Sequence, residues 1–218
     1  MKKDLIEMVF ILDRSGSMLG LEKDTIGGFN SLIEKQKKVP GEALVSTVLF
    51  DDQFEVIHSR KNIHEIMPMT SNEYYVRGST ALLDAIGRSI IKIMNTHIKL
   101  SEDQKPEKTL FIITTDGMEN ASREYHIHQI KSMIENQKEK FCWEFIFFGA
   151  NIDAIATARD FGIRSDRVAN YHADQDGVQL NYHAISECVS EFRANRMINP
   201  EWKKEIDEDY IKRKKDKS

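Results

Sequence analysis

Met8-Val-Phe-Ile-Leu-Asp13-Arg-Ser15-Gly-Ser17 is an apolar run that ends in a carboxylate and two hydroxyls at alternate positions. The apolar part reads as a buried strand. Side chains at i, i+2 and i+4 of an extended or looping segment share a face, so Asp13, Ser15 and Ser17 deliver three oxygens to one small volume at the strand's carboxyl end. Open α/β sheets bind ligands at that end, and hard divalent cations such as magnesium select oxygen donors. The same residues also have a plainer use. Asp and Ser after a strand cap the next helix, and Gly16 suits a tight turn.

Outward from this stretch, strands and helices alternate. Leu5–Leu12 is the first strand. Ile26, Phe29, Leu32 and Ile33 recur at helical spacing within a helix from Leu21 to Lys38, stopped by Pro40-Gly41. Leu44–Phe50 and Phe54–His58 read as strands joined by a tight turn at Asp51-Asp52, which makes the third strand antiparallel and an edge. Arg60–Arg77 is polar and irregular, and passages of that length in a compact domain often carry function. A helix from Ala81 to Leu100 follows, with Ser79 or Thr80 expected to cap it. Then come a strand Lys108–Thr115, a helix Arg123–Lys138, a strand Phe141–Phe148, a short helix Asn151–Phe161, a short strand Arg167–Tyr171 and a helix Gln175–Arg196. The expected fold is α/β: a Rossmann-like, doubly wound, mainly parallel sheet of about six strands with one antiparallel edge strand and helices on both faces.

The 218 residues divide into a domain over 1–198 and a charged C-terminal helix or tail over 199–218, whose basic finish runs from Lys212 to Lys217. Hydrophobic residues are 40% and charged ones 30%, which describes a globular chain rather than a disordered one. A net charge of -4 gives no general attraction to nucleic acid or anionic membrane, so neither is an expected partner. The start of the chain lacks the uninterrupted apolar core of a secretion signal, and the cytoplasm is the expected location. Cys142 and Cys188 lack metal-ligand spacing and are expected to be buried thiols. Asn120-Ala121-Ser122 fits a glycosylation acceptor by coincidence.

Two further segments place oxygens where the first one does: Thr80 in Gly78-Ser-Thr-Ala-Leu-Leu-Asp-Ala85, and Asp116 in Thr114-Thr-Asp-Gly117. Parallel strands present their carboxyl ends to one edge, so Asp13 and Asp116 meet there if their strands are neighbours. With these residues the chain resembles the von Willebrand factor type A (VWA) domain family, over about Leu5 to Phe192. All five positions of that family's metal-ion-dependent adhesion site (MIDAS) are matched. The resemblance implies a magnesium or manganese ion at the top of the sheet, with Ser15 and Ser17 as direct ligands, Thr80 as a switching ligand, and Asp13 and Asp116 anchoring through water. It implies no enzyme, but a module whose ion accepts an Asp or Glu carboxylate from a partner protein. Members of the family act in adhesion, in intracellular assemblies with AAA-type ATPases, in DNA repair and in stress responses. The family also couples site occupancy to movement of its last helix, here the one ending near Arg196.

Other readings compete. A dehalogenase-like phosphatase needs a second Asp where Ser15 stands. A serine hydrolase built from Ser15, Asp116 and His126 or His128 lacks the Gly-x-Ser-x-Gly elbow. A metal-free scaffold would use the same Asp and Ser residues as caps. The remaining histidines are scattered, and Asp84 suits the helix dipole. Arg14 and Met18 are expected at the exposed rim of the site.

Overall fold

The computed structural model describes residues 1–195 and 197–215. Arg196 and residues 216–218, on which the expected ends of the last core helix and of the basic tail fall, lie outside the described residues. In chain order come β1 (Lys2–Asp13), α1 (Glu22–Lys37), β2 (Glu42–Phe50), β3 (Phe54–Asn62), α2 (Leu82–Lys99), β4 (Pro106–Thr115), α3 (Ile127–Phe141), β5 (Glu144–Ala150), α4 (Ala154–Asp160), β6 (Val168–Tyr171), α5 (Gln175–Asn195) and α6 (Lys204–Lys215). The six strands form one sheet in the order β3-β2-β1-β4-β5-β6. Every neighbouring pair is parallel except β2 and β3, so the antiparallel strand is an edge, as the Asp51-Asp52 turn implies.

The alternation of β1 assigns the two faces. Met8, Phe10 and Leu12 point to the side covered by α1, α5 and α6, while Val9 and Ile11 point to the side covered by α2, α3 and α4. Both sets are buried, which is why the strand reads as an unbroken apolar run instead of alternating. Phe10 meets Phe29 of α1 edge-on, with ring centroids 5.4 Å apart, a geometry that favours aromatic pairs beyond the area they bury.

Several boundaries differ from the sequence reading because distant groups set them. Neither Ser79 nor Thr80 caps α2. Its N-cap is Ala81 without a side-chain bond, and the free amides of Leu83 and Asp84 donate instead to Glu119 Oε2 (2.9 Å) and Ser122 Oγ (3.0 Å). Helix α3 begins at Ile127 rather than Arg123, because the amides of Arg123, Glu124 and Tyr125 all donate to the Asp84 carboxylate at 2.9 Å. Asp84 therefore ties two segments together rather than only complementing a helix dipole. Asp84→Ala orphans three amides at about 1 kcal/mol each, and urea unfolding should show a loss of about 2–3 kcal/mol.

Cys142 is exposed and sits in the left-handed conformation (φ 53°) that ends α3, whereas Cys188 is buried as expected. Beyond α5 the chain packs back onto the sheet. Ile206 of α6 joins the core, Trp202 meets Phe148 edge-on at 5.1 Å, and its Nε1 donates to Asp166 O at 2.9 Å. Among the described residues no helix is long and apolar enough to cross a membrane.

Candidate functional site

From β1 the chain turns to β2 on one side and later returns to β4 on the other, so the sheet order reverses between β1 and β4. A crevice opens at the carboxyl ends of strands at such a reversal. Leu12 pairs with Thr114, which sets Asp13 beside Thr115 and brings Asp116 to the same crevice.

All five residues selected from the sequence converge there. Thr80 Oγ1 donates to Ser15 Oγ at 2.9 Å, Ser15 Oγ and Ser17 Oγ share a bond of 3.2 Å, and Ser17 Oγ donates to Asp116 Oδ1. Asp13 lies deeper. Its Oδ1 accepts the Ser15 amide at 2.7 Å and its Oδ2 accepts Thr115 Oγ1 at 2.6 Å. Asp13, Ser15, Thr80 and Asp116 are buried, and Ser17 is exposed. A β-carbon on Gly117 would stand 3.0 Å from Ser17 Oγ and 3.2 Å from Thr80 Oγ1, so the glycine keeps the floor of the cluster open.

The electrostatics suit a cation. Burial pushes the Asp116 carboxyl up to about 6; the Ser17 hydrogen bond opposes this and the nearby Asp13 charge adds to it. Burial also raises Asp13, against hydrogen bonds from Thr115 and Ser15. Asp116 Oδ2 is buried without a hydrogen-bond partner. Two carboxylates held in this way gain from a positive charge between them. Among the described residues no three His, Cys, Asp or Glu side chains form a metal-ligand group. The donor set here is two carboxylates and three hydroxyls, all oxygen, which is the chemistry of a hard divalent ion.

The residues that hold this cluster in place were mostly not evident in the sequence. Arg14, expected at the rim, is fully buried, and Met18 is buried too. Arg14 Nε donates to Asp51 Oδ2 at 2.9 Å, and Arg77 Nε donates to the same oxygen at 2.7 Å. Burial pushes the Asp51 carboxyl up, but hydrogen bonds from Arg77, the Gln53 amide and Arg14 outweigh it and hold it below the usual carboxylate range. Asp51 is thus a turn residue and an anchor at once. Its carbonyl also accepts the Ala81 amide at 2.9 Å, next to Thr80.

Other bonds close the frame. Tyr74 Oη donates to Asp13 O at 2.5 Å, the Gly16 amide donates to Gly78 O at 3.1 Å, and Asn120 Oδ1 accepts the Thr80 amide at 2.9 Å. Asn120, which a glycosylation motif alone would make incidental, is part of the scaffold. Leu19 and Met118, each two positions beyond a cluster residue, are exposed apolar residues.

The sequence matches no family model and no curated protein. The fold does match solved structures. Proximal thread matrix protein 1 from the mussel byssus aligns in one crystal form at 14% identity with a TM-score of 0.56, and in a form with a zinc-occupied MIDAS motif at 14% with 0.57. A von Willebrand factor type A protein from Catenulispora acidiphila aligns at 13% with 0.55. Each alignment covers 85% of this chain, which spans less than half of those chains (46%, 46% and 42%). With its six-stranded sheet, its antiparallel edge and the crevice between β1 and β4, the chain has the fold of von Willebrand factor type A domains.

Proposed function

We propose that the cluster at the β1–β4 crevice is a divalent-metal site through which the protein binds an acidic side chain of a partner protein, and that it is not an enzyme. The observation that supports this best is the convergence of five oxygen-bearing side chains from three separate loops, with one of them, Ser17, at the surface. Ser15, Ser17 and Thr80 are the hydroxyl donors. Asp13 and Asp116 supply the negative charge and orient the serines. A bound magnesium or manganese ion, held largely by neutral hydroxyls, retains the Lewis acidity to accept a carboxylate. Arg14 and Asp51 fix the loop, and Leu19 and Met118 offer apolar contact beside the acidic group. An intact MIDAS, a cytoplasmic location and an assembly with an AAA-type ATPase belong to the same reading.

The hydrolase alternatives gain no support from the geometry. Among the described residues, the hydroxyls of Ser15 and Ser17 bond to each other, to Thr80 and to Asp116, and not to a histidine base.

Titration with Mg2+ or Mn2+ alone tests the site. Saturating metal at about 100 times its Kd should stabilise the fold by about 2.7 kcal/mol and raise Tm by roughly 5–10 °C. Ser17→Ala should lose most of this rise, read against its own metal-free Tm because Asp116 Oδ1 loses its Ser17 donor. An immobilised Asp-containing peptide should then be retained in Mg2+ and released by EDTA. A wild-type Tm indifferent to metal would remove the reading.

A further inference from the structure

A second cavity opens at the opposite end of the sheet, between the end of α2, the end of α3 and the start of β4, with a volume of about 390 Å³. That is within the ~300–1,000 Å³ of small-molecule pockets. Its walls are chiefly apolar: Met94 and Ile98 from α2, Phe141 from α3, and Trp143 ahead of β5. Ile98 and Phe141, 70% and 55% exposed, both line this cavity and give it an accessible apolar wall.

The polar groups at this cavity are of both kinds: donors come from Trp143, Thr109, Lys140 and Lys105, while Gln137 Oε1 is a buried acceptor without a partner among the described residues. Trp143 is 4% exposed, with its ring stacked on Phe111 at 5.2 Å. Among the described residues its indole N–H has no acceptor and is not among the buried unpartnered groups, so it is open to the cavity. Thr109, buried on β4, likewise lines the cavity with a hydroxyl that has no partner among the described residues. Lys140 and Lys105 stand at the mouth. Lys105 pairs with Glu102, and Lys140 has no acidic partner among the described residues. Glu107 is the one carboxylate in the lining, and its Oε2 accepts the Asp4 amide at 2.8 Å. His97 is already engaged with Glu7 at 2.7 Å.

We infer that this cavity binds a small carboxylic acid with an apolar body: the body lies against Met94, Ile98, Phe141 and Trp143, and the carboxylate takes the unused donors and the Lys140 ammonium. The site lies at the amino ends of the strands and is independent of the metal reading.

Octanoate and 1-octanol, which differ in the acid group, serve as probes, followed through the Trp143 indole N–H resonance assigned with Trp143→Phe. Octanoate should shift this resonance saturably, and octanol should bind at least several-fold more weakly. Lys140→Glu, a surface change, should weaken octanoate several-fold and leave octanol unaltered. Ile98→Glu, also at the surface, should weaken both. Equal affinity for acid and alcohol, no saturable shift, or a shift insensitive to both variants would overturn the assignment.

Discussion

Arg14→Leu is expected to lower stability by about 3–5 kcal/mol in urea unfolding, and Tm by roughly 6–20 °C. Arg14 and Asp51 are both completely buried, and their side chains bond at 2.9 Å. Removing the arginine leaves a carboxylate in the interior with Arg77 as its remaining cationic bond, and that arginine is itself a third exposed. Arg14 also bonds Glu73 O and lies 5.3 Å above the Tyr75 ring, so the loop leading to Thr80 loses its hold on the loop carrying Ser15 and Ser17. Metal affinity should therefore fall together with stability. The double variant Arg14→Leu/Asp51→Asn is expected to recover at least about 1 kcal/mol over the single one, because the uncompensated charge is gone. If the single variant unfolds like the wild type, the account of the buried pair is wrong.

The second large effect concerns a close approach of two backbone segments. A β-carbon at Gly177 would lie 2.0 Å from His172 O and 2.9 Å from the carbonyl carbon itself. A backbone carbonyl cannot swing aside as a side-chain tip can. The turn from β6 into α5 is further pinned where the Gly177 amide donates to Asp174 Oδ1 at 2.9 Å, and Asp174 pairs with Arg213 of α6. Gly177→Ala should cost about 3 kcal/mol or more, at or beyond the upper range of overpacking. Gly27→Ala is the control. That glycine lies within α1 with nothing within 4 Å of the added carbon, so alanine should stabilise by about 0.5–1 kcal/mol. Equal stability of the two variants in chemical denaturation would contradict this reading of the β6–α5 turn.

The contrast between what was legible in the sequence and what was not has a physical origin. The buried strands are apolar runs, and the five oxygen-bearing residues lie at strand ends or in loops that a parallel sheet delivers to one edge. Both are local patterns. Arg14 reads as exposed because it stands in a loop beside the oxygen donors, whereas Asp51, 37 positions away, and Glu55 pair with its guanidinium and make its burial tolerable. The start of α3 is hidden for the same reason, since the group that holds Arg123 to Tyr125 out of the helix is Asp84, about 40 positions earlier. Glu119 and Ser122 cap α2 from the far side of β4. Cys142 reads as a strand residue because apolar neighbours follow it, yet it closes α3 in a left-handed conformation.

Arg193, near the end of α5, gives its guanidinium to three backbone carbonyls and one amide oxygen: Gln36 O at 2.6 Å, Gln36 Oε1 at 3.2 Å, and Val39 O and Gly41 O at 3.1 Å each. Gln36 in return donates to Ser186 O and Ser190 Oγ. This rivets α5 to the end of α1 and the entry to β2. A piston stroke of α5 by one turn, about 5.4 Å, would tear out every rivet at once, leaving a cation stranded among unanswered dipoles. A displacement of α5 that keeps these bonds is a swing about Arg193 rather than a slide along the helix axis.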